Sequence, residues 1–237
     1  MKIALASVRI VDRDINYNLS QIERYMKEAK EMGADLVCFG EAFLQGFSAL
    51  SWQYEKDKKI ALTIFSPEFE RIKALTNEIR IDVLFGYNEL DDDTIYSSCA
   101  LIADGTIIHN YRRISRGWKE YSKTDEHYKE GSTVEVFEYK GKKCVIGLCG
   151  DLWDYPERFA LGEDLLLWPV YVCWTKEEWE NGGKIEYAEQ AKLCCENTLY
   201  INSICDGDAF GGAAHFLDGK VQKELPIFKE GILVVQI

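Results

Sequence analysis

Apolar and polar positions recur along the chain with two different periods. Ile3–Val8 is an almost unbroken apolar run and predicts a buried strand. Leu19, Ile22, Met26 and Ala29 follow at helical spacing and predict a helix that stops at Gly33. Leu36–Phe39 reads as a short strand, with Glu41 just beyond it. Phe69, Ile72, Leu75 and Ile79 mark a second helix. Val83–Tyr87, Ser97–Ala103 and Thr106–Tyr111 read as strands, the last two joined by the hairpin signal Ala103-Asp104-Gly105. The second half repeats the theme. Lys143–Leu148 predicts a strand, Pro156–Leu161 the start of a short helix, Leu165–Trp168 a strand, Ile185–Asn197 a helix and Leu199–Cys205 a strand. A hairpin around Leu217-Asp218-Gly219 leads to a final strand near Ile232–Val235.

Three segments of the first half have counterparts in the second. ALASVRI pairs with VIGLCGD, ADLVCFGE with EDLLLWPV, and CALIADGTIIH with AAHFLDGKVQK. Two similar β-α-β-α-β-β units result, and so many apolar strands must be buried on both faces. The predicted fold is α/β, a four-layer αββα sandwich of two mixed β-sheets flanked by helices, in one domain over residues 1–237. Ser115–Gly131 is the longest stretch without a period, and a loop of that length in a compact domain points to function.

Composition narrows the function classes. The chain has 237 residues, 47% of them apolar and 29% charged, which suits a folded globule and not a disordered one. Twenty-eight Lys and Arg stand against 40 Asp and Glu, a net charge of −12. That argues against nucleic acid as a partner. No apolar run reaches the ~18 residues of a membrane span, so no membrane partner is expected. Arg9, Asp12, Arg13 and Asp14 interrupt the apolar start before it makes a signal peptide, so a cytoplasmic location is expected. Of the 8 cysteines none forms a CxxC pair, and the 3 histidines are scattered, so neither a zinc site nor a disulfide framework is expected.

Three segments carry candidate chemistry. CVIGLCGDLWDYPE is a buried strand that stops at Cys149-Gly150-Asp151 before a helix starts. A thiol at such a turn stands clear of the sheet, and the Gly150 N–H beside it is placed to receive an oxyanion. Glu41, among Phe39, Phe43 and Phe47, is a carboxylate at a strand end suited to proton transfer. Arg112, Arg113, Arg116 and Lys119 form a basic cluster in an acidic chain, and can face an oxyanion or an anionic substrate.

With these residues in view, the sequence resembles the carbon–nitrogen hydrolase family, the nitrilase superfamily, over nearly its whole length. GADLVCFGEAFLQGF resembles the family's P-E-x-x-x-x-G run, with Gly40 for the proline and Glu41 as general base. VLFGYNELDDDTIYSSCALIADGTIIHNYRR resembles the stretch that ends Y-R-K, and there Arg113 stands where the family has lysine. CGDLWDYPERFAL resembles C-x-D-x-x-x-P-E, which puts Cys149 in the nucleophile's place. QAKLCCENTLYINSICDG resembles R-A-x-E-N-x-x-Y, with Gln190 for the arginine.

The resemblance implies the αββα fold, no cofactor, a homodimer, and hydrolysis of a small-molecule linear amide through a cysteine thioester. Gly150-Asp151, where true nitrilases have Trp-Glu, favours amides over nitriles. Glu120, seven residues after Arg113, takes the place of the family's supporting glutamate. Trp118, Tyr128, Tyr171, Trp174 and Trp179 fall in segments that flank the pocket; Trp118, Tyr171 and Trp174, with Gly150, are the expected substrate contacts. Arg113 leaves two alternatives open. One is a family member impaired in catalysis that binds a small molecule or a partner. The other is an acyltransferase that uses the same thioester.

Overall fold

The structure is a computed structural model and describes residues 1–237. Its strands, in chain order, are β1 (Lys2–Ser7), β2 (Leu36–Cys38), β3 (Asp82–Asp91), β4 (Thr94–Ala103), β5 (Thr106–Arg112), β6 (Phe137–Tyr139), β7 (Lys142–Ile146), β8 (Leu165–Val170), β9 (Asn197–Asn202), β10 (Ile204–Cys205), β11 (Ala209–Phe210), β12 (Ala213–Leu217), β13 (Lys220–Leu225) and β14 (Gly231–Gln236). The helices are α1 (Ile15–Glu31), α2 (Tyr54–Asp57), α3 (Pro67–Ile79), α4 (Asp151–Asp154), α5 (Lys176–Glu178) and α6 (Lys184–Lys192).

Two six-stranded sheets carry the fold, in the orders β14-β1-β2-β3-β4-β5 and β13-β12-β9-β8-β7-β6. In the first, β1, β2 and β3 are parallel and β4 and β5 antiparallel; β7, β8, β9, β12 and β13 repeat that pattern in the second. The duplication read in the sequence is thus a duplication of strand order. Each sheet gains one antiparallel edge strand: β6 from just upstream in the second, β14 from the chain's end in the first. As a result the Met1 amine donates to the Ile237 carbonyl at 2.8 Å, and the Ile237 N–H returns a bond to Met1 at 2.9 Å.

The period of two along β1 sorts its side chains between layers. Ile3 and Leu5 face inward, in a core with Leu36, Leu84 and Leu101 and with Ile146, Leu167, Leu199 and Ile201 of the other sheet. Ala4 and Ala6 face outward, with Val83 and Phe85, against Ile22 and Met26 of α1 and Phe69 and Ile72 of α3. Asp14 caps α1 by accepting from the Tyr17 N–H. The second sheet's outer face is covered more thinly, by α6 and an aromatic group in which Tyr187 stacks on Trp168 at 5.0 Å and Trp179 on Tyr200 at 5.4 Å.

Several boundaries differ from the sequence expectation. β3 and β4 are ten residues each, because Asp92 takes a positive φ of 49° and lets the hairpin run on past Tyr87. The expected helix Ile185–Asn197 ends at Lys192, where turns back to Gln190 and Ala191 free the chain to enter β9. The expected strand Leu199–Cys205 splits at Ser203: β9 stays in the second sheet, while Ile204 bonds to Val8 and Ile10 beside β1. Pro156–Leu161 holds only a 3₁₀ turn at Pro156–Arg158. β6 is an addition, signalled by the Lys140-Gly141 turn, where both residues have positive φ. No helix is long and apolar enough to cross a membrane.

Candidate active site

The carboxyl ends of β2, β5, β7 and β8 converge. Glu41 lies just past β2, and its N–H donates to the Val170 carbonyl of β8 at 3.2 Å, which ties its turn to the opposite sheet. Gly86 makes room for that turn: a Cβ there would come within 2.7 Å of the Glu41 Cα. Glu41 is fully buried. Its Oε1 accepts from Ser97 Oγ at 3.0 Å and from Arg113 Nη1 at 2.9 Å. Its Oε2 has no hydrogen-bond partner.

Arg113 follows β5, and its backbone is pinned by bonds to the Ser97 carbonyl and from the Gly131 N–H. Its guanidinium is buried and directed by three bonds, to Glu41, Ser115 Oγ (2.8 Å) and the Arg116 carbonyl (3.0 Å). Burial opposes its charge, but Glu41, Cys149 and Asp151 outweigh that and hold its pKa above the ordinary value. The guanidinium is therefore a fixed positive charge.

Cys149 sits past the end of β7 with φ 44°, the left-handed region that non-glycine residues rarely occupy. Its N–H donates to the Pro169 carbonyl at 3.0 Å, and its carbonyl accepts from Trp168 Nε1 at 2.9 Å. Those bonds hold the turn, and the half-buried thiol points at the Tyr171 carbonyl, 3.7 Å away. Burial pushes the thiol up to about 12; Glu41 acts in the same direction and Arg113 against it. Cys149 thus rests as a thiol, with a buried carboxylate and a guanidinium both acting on it. The Gly150 N–H has no partner, and a Cβ at Gly150 would meet Arg113 Nη2 at 2.7 Å. A glycine is what lets the guanidinium lie against this turn.

The structure thereby brings Glu41, Arg113, Cys149 and Gly150 together. Tyr171 joins them: its carbonyl faces the thiol and its ring stacks on Phe47 at 4.3 Å. Trp174 shares with Tyr171 the wall of a cleft of about 540 Å³ that Phe47, Tyr187, Glu178 and Asp208 also line, and that none of Glu41, Arg113, Cys149 and Gly150 lines. Glu120 is not brought in. It is exposed, in the loop after Arg113, and its carboxylate makes no hydrogen bond. Trp118 is not on the cleft either; it is buried with Leu50, Ala61, Ile95 and Tyr128. Tyr128 donates to Asp57 of α2, which also accepts from the Ser51 and Trp52 N–H groups, so Tyr128 fastens the loop to α2 and the segment before it. Trp179 packs under the second sheet's outer layer. Of the other cysteines, only Cys173 is exposed, at the cleft's rim; the remaining six are buried.

Asp151 was not singled out by its sequence. Fully buried, it accepts from Tyr111 Oη (2.6 Å) and from the N–H groups of Ile114 (3.1 Å), Ser115 (2.7 Å) and Leu148 (2.8 Å). It locks the Cys149 turn to the segment that carries Arg113. The C-x-D spacing was the available signal.

A carbon-nitrogen hydrolase family model matches residues 2–163. The chain is 27% identical over 243 residues to a glutamine-dependent NAD(+) synthetase of Acinetobacter baylyi, covering 97% of this chain and 42% of the synthetase. It is 28% identical over 170 residues to the N-carbamoylputrescine amidase of Arabidopsis thaliana, covering 67% of this chain and 55% of that enzyme. The chain thus spans about half, or less, of these relatives' length. Among solved structures it is similar in fold to a mutant amidase from Nesterenkonia sp. AN1 carrying acrylamide at its active-site cysteine. The TM-score is 0.80 at 19% identity, over 100% of this chain and 93% of that one.

Proposed function

From the chain's membership of the carbon–nitrogen hydrolase family, we propose that it hydrolyses the C–N bond of a small linear amide through a thioester on Cys149. The observation that carries this reading is the free, buried Oε2 of Glu41 in a cluster with Cys149 and Arg113. The raised thiol does not ionise by itself at neutral pH, so its proton must leave as the bond forms. Glu41 takes that proton, and the sulfur attacks the carbonyl carbon. The oxyanion faces the Gly150 N–H and the Arg113 guanidinium. Glu41 returns the proton to the leaving nitrogen, and ammonia departs from the acyl-enzyme. Water then gives a proton to Glu41 and adds to the thioester; collapse releases the acid and restores the thiol.

The N-carbamoylputrescine amidase and the Nesterenkonia amidase support an amide or carbamoyl substrate. The test is ammonia release from short amides, with mass spectrometry of Cys149 after quenching. Acylation at Cys149, and loss of both signals in Cys149→Ala, is the expected result. Turnover that persists in Cys149→Ala would overturn the reading.

One observation favours a second reading, an impaired member that binds without turnover. Arg113 ties up Oε1 of the base in a buried ion pair, and arginine is larger than lysine and does not give up its proton. Arg113→Lys separates the two. A gain of amide hydrolysis from zero supports impairment, whereas unchanged or reduced hydrolysis supports Arg113 as the working cation.

A further inference from the structure

We propose that Ser115 is a positioning residue that keeps the Glu41–Arg113 ion pair single-bonded, and so keeps Glu41 Oε2 free to take the Cys149 proton. The inference rests on Glu41 as the proton acceptor, and adds what stops the neighbouring arginine from closing over it.

An arginine beside a carboxylate pairs readily through two parallel N–H···O bonds. The preceding residue does so. Arg112 donates from Nε to Glu89 Oε2 at 2.9 Å and from Nη2 to Glu89 Oε1 at 2.8 Å. Both oxygens of Glu89 are thereby used, and Ser98 Oγ adds a bond to Oε2 at 2.6 Å. Arg113 has the same edge, Nε and Nη2, but turns it elsewhere. Nε donates to Ser115 Oγ at 2.8 Å and Nη2 to the Arg116 carbonyl at 3.0 Å. Only Nη1 is left for Glu41, which it meets at Oε1 alone, at 2.9 Å. Ser97 Oγ donates to that same oxygen at 3.0 Å. Both donors thus gather on Oε1, and Oε2 stays buried without a partner.

Ser115 is fixed from behind. It is fully buried, and its backbone N–H donates to Asp151 Oδ1 at 2.7 Å. Asp151 also accepts from the Leu148 N–H, at the strand end that leads to Cys149. The guanidinium edge and its serine acceptor lie against Gly150, where a Cβ would stand 2.7 Å from Arg113 Nη2 and 3.3 Å from Ser115 Oγ. The hydroxyl is therefore held in register with the turn that carries the thiol. Without it, Nε is a buried donor with no acceptor, beside a carboxylate whose Oε2 is a buried acceptor with no donor. A turn of the guanidinium that pairs the two satisfies both. The base would then be occupied at both oxygens, although no catalytic group had been removed.

The test compares Ser115→Ala with Ser98→Ala, which removes a buried hydroxyl from the Glu89 pair. The first readout is the rate at which iodoacetamide alkylates Cys149, followed by peptide mass spectrometry. It needs the thiol proton removed but no amide turnover: sulfur displaces iodide, and the proton leaves by way of Glu41. Glu41→Gln sets the floor. Ser115→Ala is expected to slow alkylation, and kcat for short amides, about tenfold with KM within a few-fold, part of the loss that removing the base itself gives. Ser98→Ala should match the parent. Lysine has no fork, so in an Arg113→Lys background the cost of Ser115→Ala should shrink to less than about twofold. Ser115→Cys, of similar size and a weaker acceptor, should fall between serine and alanine, and carries the test if the alanine variant does not fold. An equal cost of Ser115→Ala with arginine or lysine at position 113 overturns the proposal and leaves the amidase reading standing. So does unchanged alkylation in Ser115→Ala where Glu41→Gln slows it. Unchanged alkylation in Glu41→Gln removes Glu41 as the proton acceptor, and the proposal with it.

Discussion

β1 and β7 open the two halves of the chain, and they end in different ways. Past β1, Val8 keeps a negative φ and accepts a bond from the Ile204 N–H at 2.9 Å, and Ile10 donates back to Ile204 at 2.8 Å. The chain runs on as apolar, paired backbone, with Val8 and Ile10 buried. At the matching place past β7, Cys149 turns into the left-handed region, Gly150 leaves its N–H unpaired, and Asp151 buries a carboxylate where the first half has Ile10. One supersecondary unit thus supplies a splice and the other a site. Strain and polar burial are gathered at one of two equivalent turns, where the rest of the fold over-determines them.

Substitutions break the comparison at different scales. The largest effect is expected from Cys149→Ala, which should lower amide turnover by three orders of magnitude or more on the scale of nucleophile deletions while barely changing thermal stability. Val8→Ala should do the opposite. It deletes buried methyl groups at a cost of about 2 kcal/mol and leaves kcat within a few-fold, as read by urea unfolding and steady-state kinetics. Glu41→Gln comes next, with kcat down about 10² to 10⁴-fold for loss of the base; an unchanged kcat would rule out Glu41 as the proton acceptor.

A smaller effect is expected from Gly150→Ala. The new Cβ must displace the Arg113 guanidinium, so kcat should fall about tenfold and KM change less, because the oxyanion loses a contact made in the transition state. The smallest effect concerns pH. Cys149 holds its proton more tightly in the folded protein than in the unfolded chain. Its contribution to stability is full below the unfolded thiol value near ~8.5 and is lost as pH rises toward the folded one. Stability should fall less steeply above pH ~9 in Cys149→Ala than in the parent. Iodoacetamide should label exposed Cys173 at neutral pH well before Cys149.

What was legible in the sequence followed local rules. β1, α1, β2 and the Asp104-Gly105 and Asp218-Gly219 turns announce themselves through period and through residues that tolerate positive φ. The turn at Cys149 was legible because a buried strand cannot simply stop before Gly-Asp. Long-range pairing was not legible. Nothing near Ile232 says that β14 closes the edge beside β1, and Asp151 reads as a polar turn residue until Tyr111 and Ser115 arrive from 40 and 36 residues upstream. The cleft's carboxylates were hidden for the same reason, since Glu178 caps α5 and Asp208 follows β10. Trp118 and Glu120 show the converse: membership of the right loop did not place either side chain in the cluster around Cys149.

The pairing of β14 with β1 leaves the first and last residues bonded to each other. The two strands lie more than 220 positions apart in sequence, so this edge of the first sheet closes only after the whole second sheet has been made, and β1 waits with one side unpaired until then.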